Sequence, residues 1–154
     1  MQKLIGIDPG KTGAMCLRES DGSLYFYDCP LTVSKELDYH AMAALVKPHT
    51  NTMVILEDVA AYGMGVTSAF NFGANVSAWR MACTVFGLPV VMVRPTIWTK
   101  ALGKAGGKEN KYQSIEIAKS LYPEAEPFLR RKKDHDRADA LLLIHWYENY
   151  AKAL

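Results

Sequence analysis

Residues 4–13 predict a short buried strand that ends in a turn, with an acidic residue at the end of the strand. The apolar run Leu-Ile-Gly-Ile leads into Asp8, and Pro9-Gly10 then breaks it. A short apolar run closed by Pro-Gly is typical of a buried strand followed by a turn. A carboxylate there is costly to desolvate unless it meets a cation or hydrogen-bond donors. Asp8 therefore either caps the following turn or binds a metal ion.

The remaining pattern predicts a mixed α/β sheet. Strands are predicted at residues 4–8, 13–18, 24–29, 52–56 and 90–93. Helices are predicted at residues 37–47, from a cap at Thr67 or Ser68 to Phe86, from 95 to 102, at 112–121 and at 135–150. The Asp21-Gly22 hairpin signal makes the first three strands antiparallel, and the apolar fourth strand suits a parallel neighbour buried on both faces. We therefore expect five strands with helices on both faces.

Length and composition favour one soluble domain over residues 1–154. No apolar run approaches the ~18 residues that a membrane span needs. The N-terminus lacks the layout of a signal peptide, because Asp8 interrupts the apolar run early. The three cysteines are far apart and form no CxxC pair, which predicts reduced thiols in a cytoplasmic protein. No role at a membrane is expected.

Positive charge is concentrated in one part of the chain. Residues 94–133 carry ten Lys/Arg against four Asp/Glu, whereas residues 1–93 carry six against eight and residues 134–154 carry two against four. A basic segment between two mildly acidic ones predicts an anionic partner. A solvated loop and helix face is the alternative.

Four acidic residues are predicted at strand ends or at a helix start. Asp8 ends the first strand and Glu57 follows the fourth, and the crevice beyond such strand ends is a common site of chemistry in α/β sheets. Asp136 and Asp139 are three residues apart, so they share one face of the last helix. Each acid also has a structural explanation: a favourable helix macrodipole, or a lysine partner for Glu57.

Taken together, the four acids suit an oxygen-rich site for Mg²⁺ or Mn²⁺. Two such ions about 3.5–4 Å apart activate a water and stabilise the leaving oxygen in phosphoryl chemistry. The basic segment 94–133 would then hold a nucleic-acid backbone.

The three motifs resemble those of RuvC-type Holliday-junction resolvases, whose fold is ribonuclease H-like. They are Gly-Ile-Asp-Pro-Gly-x-x-Gly at Asp8, the strand ending in Glu57, and Asp-x-x-Asp-Ala-Leu at Asp136 and Asp139. Compact bacteriophage proteins belong to this group. The resemblance implies a homodimer, acting in the cytoplasm or the cytoplasm of a viral host, that cleaves four-way DNA junctions with two Mg²⁺ per site, for which Mn²⁺ substitutes.

The resemblance also implies residue roles. Asp8, Glu57, Asp136 and Asp139 match the four metal-binding, catalytic acids. Residues 68–73 resemble the start of the family's dimer-interface helix, so Phe70 or Phe72 is a candidate for contacting junction bases, with core packing or a dimer contact as the alternative. The candidate phosphate-binding cations are Lys100, Lys104, Lys108, Lys111, Arg130, Arg131, Lys132 and Lys133.

Two residues at the start of the last helix depart from the family pattern. Asp134 could be the N-cap of that helix or compete with Asp136 as a metal ligand. His135 is predicted to face solvent at the helix start, with a role on a proton or a metal as the alternative.

The leading hypothesis is therefore a metal-dependent endodeoxyribonuclease that resolves Holliday junctions or other branched DNA. One alternative is an actin/hexokinase-type phosphotransferase lobe, whose phosphate loop also reads Asp-x-Gly-x-Thr-Gly. Another is a module that binds branched DNA without cutting it.

Overall fold

The computed structural model describes residues 1–59, 64–104 and 112–151 of the chain. The strands are β1 (Leu4–Asp8), β2 (Ala14–Arg18), β3 (Leu24–Asp28), β4 (Met53–Glu57) and β5 (Val90–Val93). The α-helices are α1 (Tyr39–Val46), α2 (Val66–Val85), α3 (Pro95–Ala101), α4 (Gln113–Leu121) and α5 (His135–Asn149). Short 3-10 turns lie at Lys47–His49, Pro123–Phe128 and Lys132–Asp134.

The five strands form one mixed sheet in the order β3-β2-β1-β4-β5. The pairs β1–β2 and β2–β3 are antiparallel, whereas β1–β4 and β4–β5 are parallel. The predicted sheet, with three antiparallel strands followed by parallel ones, is therefore confirmed. Among the described residues, no helix is both long enough and apolar enough to cross a bilayer.

Helices cover both faces of the sheet, because the central strands are apolar on both sides. Ile5 and Ile7 of β1 pack with α1 and α2 in one core cluster. Leu4 of β1 and Ile55 of β4 belong to a second cluster, which is built mainly on α5. Alternation along β1 therefore turns Asp8 to the same face as Leu4, toward α5.

Helix α2 begins earlier than the sequence predicts. Its N-cap is Gly65, in an extended conformation, and this residue has no side chain that could make a capping bond. Thr67 and Ser68 lie inside the first turn, so the prediction that one of them caps the helix is wrong. The apolar Val66 starts the helix instead, and its side chain is 88% exposed.

Candidate active site

Two of the predicted acids end neighbouring parallel strands. Ile7 of β1 pairs with Leu56 of β4, so the next residues along the two strands, Asp8 and Glu57, lie side by side at one sheet edge. Both side chains turn toward the α5 face, and both residues are 9% exposed. The register of the sheet therefore brings together two carboxylates that are 49 positions apart in the chain.

Helix α5 approaches this pair unusually closely because β1 carries a glycine. A Cβ built on Gly6 would lie 1.9 Å from the backbone oxygen of Ala140. No side chain fits between strand and helix at that point. The first turns of α5 consequently bring Asp136 and Asp139 over the end of β1.

The four acids line one cavity of about 500 Å³. The pKa of Asp8 is raised well above its usual value, first by burial and then by the negative charges of Glu57, Asp139 and Asp136. Burial also raises the pKa of Glu57 to about 7, although a hydrogen bond from Trp98 acts against that shift. The cluster is thus an excess of buried negative charge that the surrounding protein only partly compensates.

Among the described residues, Trp98, Lys104 and Ser114 supply donors to the acids. The Trp98 indole Nε1 donates to Glu57 Oε1 at 2.8 Å. Lys104 Nζ lies 2.9 Å from Asp139 Oδ1, and Ser114 Oγ donates to the same oxygen. The Lys104 ammonium also lies 5.0 Å from the centre of the Trp98 ring. Neither Trp98 nor Ser114 is predicted as a site residue from the sequence, because both reach the acids from other segments of the chain.

His135 is part of this site, and the prediction that it faces solvent is wrong. The residue is 8% exposed, and its Nδ1 lies 2.7 Å from Asp136 Oδ1. Ligand atoms of His135, Asp136 and Asp139 all lie within 4.8 Å of one another. The helix start is buried here because Tyr112 packs edge-on against the imidazole, with the ring centres 5.8 Å apart.

Asp134 does not line the acid cavity. Its carboxylate accepts from the backbone N–H of Arg131 at 2.8 Å and from the Arg131 guanidinium at 2.7 Å. Burial acts to raise the pKa of Asp134, but the hydrogen bonds from Arg131 hold it below the usual value. Asp134 is the N-cap residue of α5, as predicted, although its side chain makes no capping hydrogen bond. It lies outside the acid cavity, so the structure does not support it as a ligand that competes with Asp136.

The donor set fits a divalent cation of the hard class. Carboxylate oxygens are the preferred ligands of Mg²⁺ and Mn²⁺. A hydrogen bond between Asp8 and Asp136 also contributes to raising the pKa of Asp8, after burial and the charges of the neighbouring acids. A cation placed there would relieve the repulsion that now raises the pKa of Asp8.

The predicted DNA-contacting aromatic residues lie at the start of α2. Phe70 is 75% exposed, which excludes core packing for that ring. Phe72 is half-buried and lines the acid cavity, with a ring carbon 3.7 Å from the position of a Cβ on Gly10. Their contact with DNA stays a prediction.

The predicted basic residues differ in where their side chains lie. Lys100 is exposed on α3, whereas Lys104 is turned inward toward Asp139. The exposed run after α4 consists of Arg130, Arg131, Lys132 and Lys133. Lys108 and Lys111 lie outside the described residues.

The fold resembles solved junction-resolving proteins over nearly the whole chain. A Thermus thermophilus RuvC structure aligns with a TM-score of 0.62 at 17% identity, covering 97% of both chains. The fowlpox virus Holliday junction resolvase aligns with a TM-score of 0.63 at 15% identity, covering 99% of this chain and 100% of that one. These matches define the fold class as ribonuclease H-like of the RuvC type.

Sequence comparison identifies the family. The chain is 34% identical over 128 residues to the crossover junction endodeoxyribonuclease RuvC of Nitratidesulfovibrio vulgaris strain Hildenborough, covering 77% of this chain and 76% of that protein. No family model matches the sequence. The chain belongs to the RuvC family of crossover junction endodeoxyribonucleases.

Proposed function

We propose that this protein is a metal-dependent endonuclease that cuts four-way DNA junctions by paired phosphodiester hydrolysis. The single observation that carries the proposal is the convergence of Asp8, Glu57, Asp136 and Asp139 on one cavity. A structure of a relative, Thermus thermophilus RuvC in complex with a Holliday junction substrate, shares the fold with a TM-score of 0.59 at 18% identity, covering 99% of this chain and 96% of that chain. The name of the Nitratidesulfovibrio relative supports the same activity.

The four carboxylates are the proposed metal ligands, with two Mg²⁺ per site and Mn²⁺ as a substitute. When bound, such ions activate a water molecule and stabilise the leaving oxygen of an in-line displacement. Asp8 and Glu57 are held on adjacent strands, so their separation is set by the sheet. Trp98 and Ser114 orient Glu57 and Asp139 through hydrogen bonds, which limits side-chain rotation before the substrate arrives.

Lys104 compensates part of the negative charge of the site. Its ammonium lies against Asp139, and it opposes the burial that raises the pKa of Glu57, after the stronger hydrogen bonds from Trp98 and Asp8. A cluster of four acids repels a phosphodiester until cations are present. Binding of DNA should therefore depend on divalent ions, even where cleavage is blocked.

We also propose that the protein works as a homodimer through α2. Four apolar residues on this helix are strongly exposed: Val66 at 88%, Phe70 at 75%, Met81 at 64% and Val85 at 65%. Their spacing places them within one face of the helix. Monomeric proteins rarely expose such a stripe, and two active sites about a twofold axis suit a four-way junction.

The activity is tested with a synthetic four-way junction in Mg²⁺. The wild type should cut it, and Asp8→Asn should lose at least about 10³-fold in rate while still binding the junction. Asp21→Asn is the matched control, because Asp21 is a surface acid in the hairpin turn. Normal cleavage by Asp8→Asn would contradict the assignment of the site.

The same assay separates the rival functions. A protein that binds junctions tightly but never cuts them in Mg²⁺ or Mn²⁺ would be a binding module. A rise in melting temperature with ATP would favour a phosphotransferase lobe.

The dimer is tested by sedimentation of Met81→Glu, which places a charge in the exposed stripe. A shift to monomer with loss of paired cuts is expected. Lys47→Glu, on the Lys47–His49 turn, controls for the change of charge, and a monomeric wild type would overturn this part of the proposal.

A further inference from the structure

A second groove lies beside the acid cavity. It has a volume of about 740 Å³, and the two cavities share Lys11, Thr12, His135 and Asp136. The grooves are therefore continuous across the start of α5. Anything that extends from the acid cavity past His135 enters this second groove.

The second groove is basic, although the cavity that it adjoins is acidic. Five cations line it: Lys11, Lys35, Arg131, Lys132 and Lys133. Two of its three acids are already neutralised within the protein. Asp134 pairs with Arg131, and Asp28 accepts from Arg137 at 2.7 and 2.9 Å.

Lys132 and Lys133 are the cations best suited to an external anion. Both are exposed, and neither has a carboxylate within 4.0 Å among the residues that the structure describes. By contrast, Lys11 lies 3.1 Å from Glu36 at the other side of the groove. The two lysines therefore present positive charge that no described carboxylate neutralises.

An aromatic ring lies between these lysines and the acid cavity. Tyr112 lines the groove and is 42% exposed, and Lys132 Nζ lies 5.6 Å from the centre of its ring. The ring also packs edge-on against His135 of the acid cavity. A half-exposed ring beside cations is the arrangement that single-stranded nucleic acids use, with a base on the ring and phosphates on the cations.

We propose that this groove binds the DNA strand on one side of the bond to be cut, with Lys132 and Lys133 on its phosphates and Tyr112 against a base. This inference rests on the proposed nuclease function and assigns a course to the substrate. The continuity of the two grooves carries it, because a strand whose phosphate lies at the acids must leave the cavity in some direction. The basic groove offers compensating charge and a stacking surface in that direction.

The phosphate contacts are tested by binding to a four-way junction with Ca²⁺ in place of Mg²⁺. Lys132→Ala/Lys133→Ala should reduce the slope of log Kd against log salt by about two, because each lost phosphate contact removes about one unit. Lys47→Ala removes an exposed lysine on the Lys47–His49 turn and should leave the slope unchanged. An unchanged slope in the double variant would overturn the proposal.

A modified substrate locates the contacts relative to the cut. Two successive phosphates next to the cut site are replaced by uncharged methylphosphonates, on the 5′ side in one junction and on the 3′ side in another. The modification on one side of the cut should reduce the affinity of the wild type more than the modification on the other side. On that same side, the modification should reduce the affinity of the Lys132→Ala/Lys133→Ala variant only slightly, because the contacts are already lost. Equal additional losses in wild type and double variant on both sides would contradict the assigned contacts.

The stacking contact is tested with Tyr112→Ala and Tyr112→Phe. The alanine variant should bind the junction about ten-fold more weakly, whereas the phenylalanine variant keeps the ring and should bind normally. Melting temperatures of both variants show whether His135 has lost its packing. Normal binding by a folded Tyr112→Ala would remove Tyr112 from the proposal, whereas failure of the wild type to bind or cut any junction would refute the nuclease function itself.

Discussion

Helix α5 packs over buried charged side chains at both of its ends. At one end these charges are paired with each other, and at the other end most of them are of the same sign. At the amino end of β1, the register pairs Leu4 with Arg18, and the Arg18 guanidinium donates to the Glu148 carboxylate near the end of α5. Arg18 also donates to the backbone oxygen of Gln2 at 3.2 Å. At the other end of β1, Asp8 meets three more carboxylates, and Lys104 pairs with one of them, Asp139.

The difference shows which end serves stability. A buried ion pair with further hydrogen bonds neutralises both partners, so the Arg18 end needs nothing from outside the protein. The acid end keeps an excess of negative charge, which costs folding free energy unless a cation enters. Sites that retain such a cost are typically functional ones.

The largest effect is expected at the paired end. Arg18→Met leaves Glu148 facing a buried apolar side chain, and should lower the free energy of unfolding by about 3–5 kcal/mol. Urea denaturation at neutral pH measures it. Adding Glu148→Leu to this variant should restore part of the lost stability. If Arg18→Met left the free energy of unfolding unchanged, the contrast between the two ends of α5 would be refuted.

The excess negative charge at the acid end should make the stability of the protein depend on pH. Because the pKa of Glu57 is raised to about 7, the folded state keeps a proton that the unfolded state has lost. The free energy of unfolding of the metal-free protein should therefore fall as the pH rises from about 4.5 to about 7, by on the order of 3 kcal/mol.

The control for this pH effect is Glu57→Gln, which cannot titrate. The difference between wild type and variant, measured by denaturation in EDTA across that range, isolates the contribution of Glu57. Mg²⁺ should restore the stability of the wild type above neutral pH. If the wild type became more stable than Glu57→Gln as the pH rises over this range, the pKa of Glu57 would not be raised in the folded protein.

A smaller loss is expected when the lysine that pairs with Asp139 is removed. Lys104→Met deletes the ion pair with Asp139, in which both side chains are largely buried, and should lower metal-free stability by about 1–2 kcal/mol. Thermal melts in EDTA measure this loss. Lys100→Met, on the exposed side of α3, is the matched control and should melt like the wild type.

The smallest effect has the opposite sign. Asp8→Asn removes one of the mutually repelling charges and should stabilise the metal-free protein by on the order of 1 kcal/mol. It should also abolish most of the stabilisation that Mg²⁺ gives to the wild type. A variant that is destabilised in EDTA yet still responds fully to Mg²⁺ would show that Asp8 has a purely structural role.

The sequence predicted the acid cluster because strand ends can be recognised from local patterns. β1 and β5 have the predicted bounds, and Asp8 and Glu57 come together through the parallel pairing of their strands. The Asp136–Asp139 spacing needed only the helical repeat. Each of these inferences uses neighbours along the chain and one rule of sheet geometry.

The surrounding shell could not be predicted in this way. Trp98 and Ser114 contact acids that are 41 and 25 positions away, and no periodicity encodes those contacts. The burial of His135 depends on Tyr112, which reaches it from the start of a separate helix. The predicted N-caps of α2 were wrong because Gly65 occupies that position instead. A glycine cap has no side chain, so no capping motif in the sequence indicates it.

The absence of a side chain at Gly6 has a consequence for ion selection. Main-chain atoms of β1 and Ala140 set the gap between strand and helix, so the gap cannot widen or narrow through a change of rotamer. The scaffold behind the acids is therefore stiff, and only the carboxylates themselves can adapt to a guest ion. Under the proposed metal-binding function, an ion larger than Mg²⁺ would have to be accommodated by tilting those carboxylates. Position 6 would then be a remote determinant of the ionic radius that the site accepts.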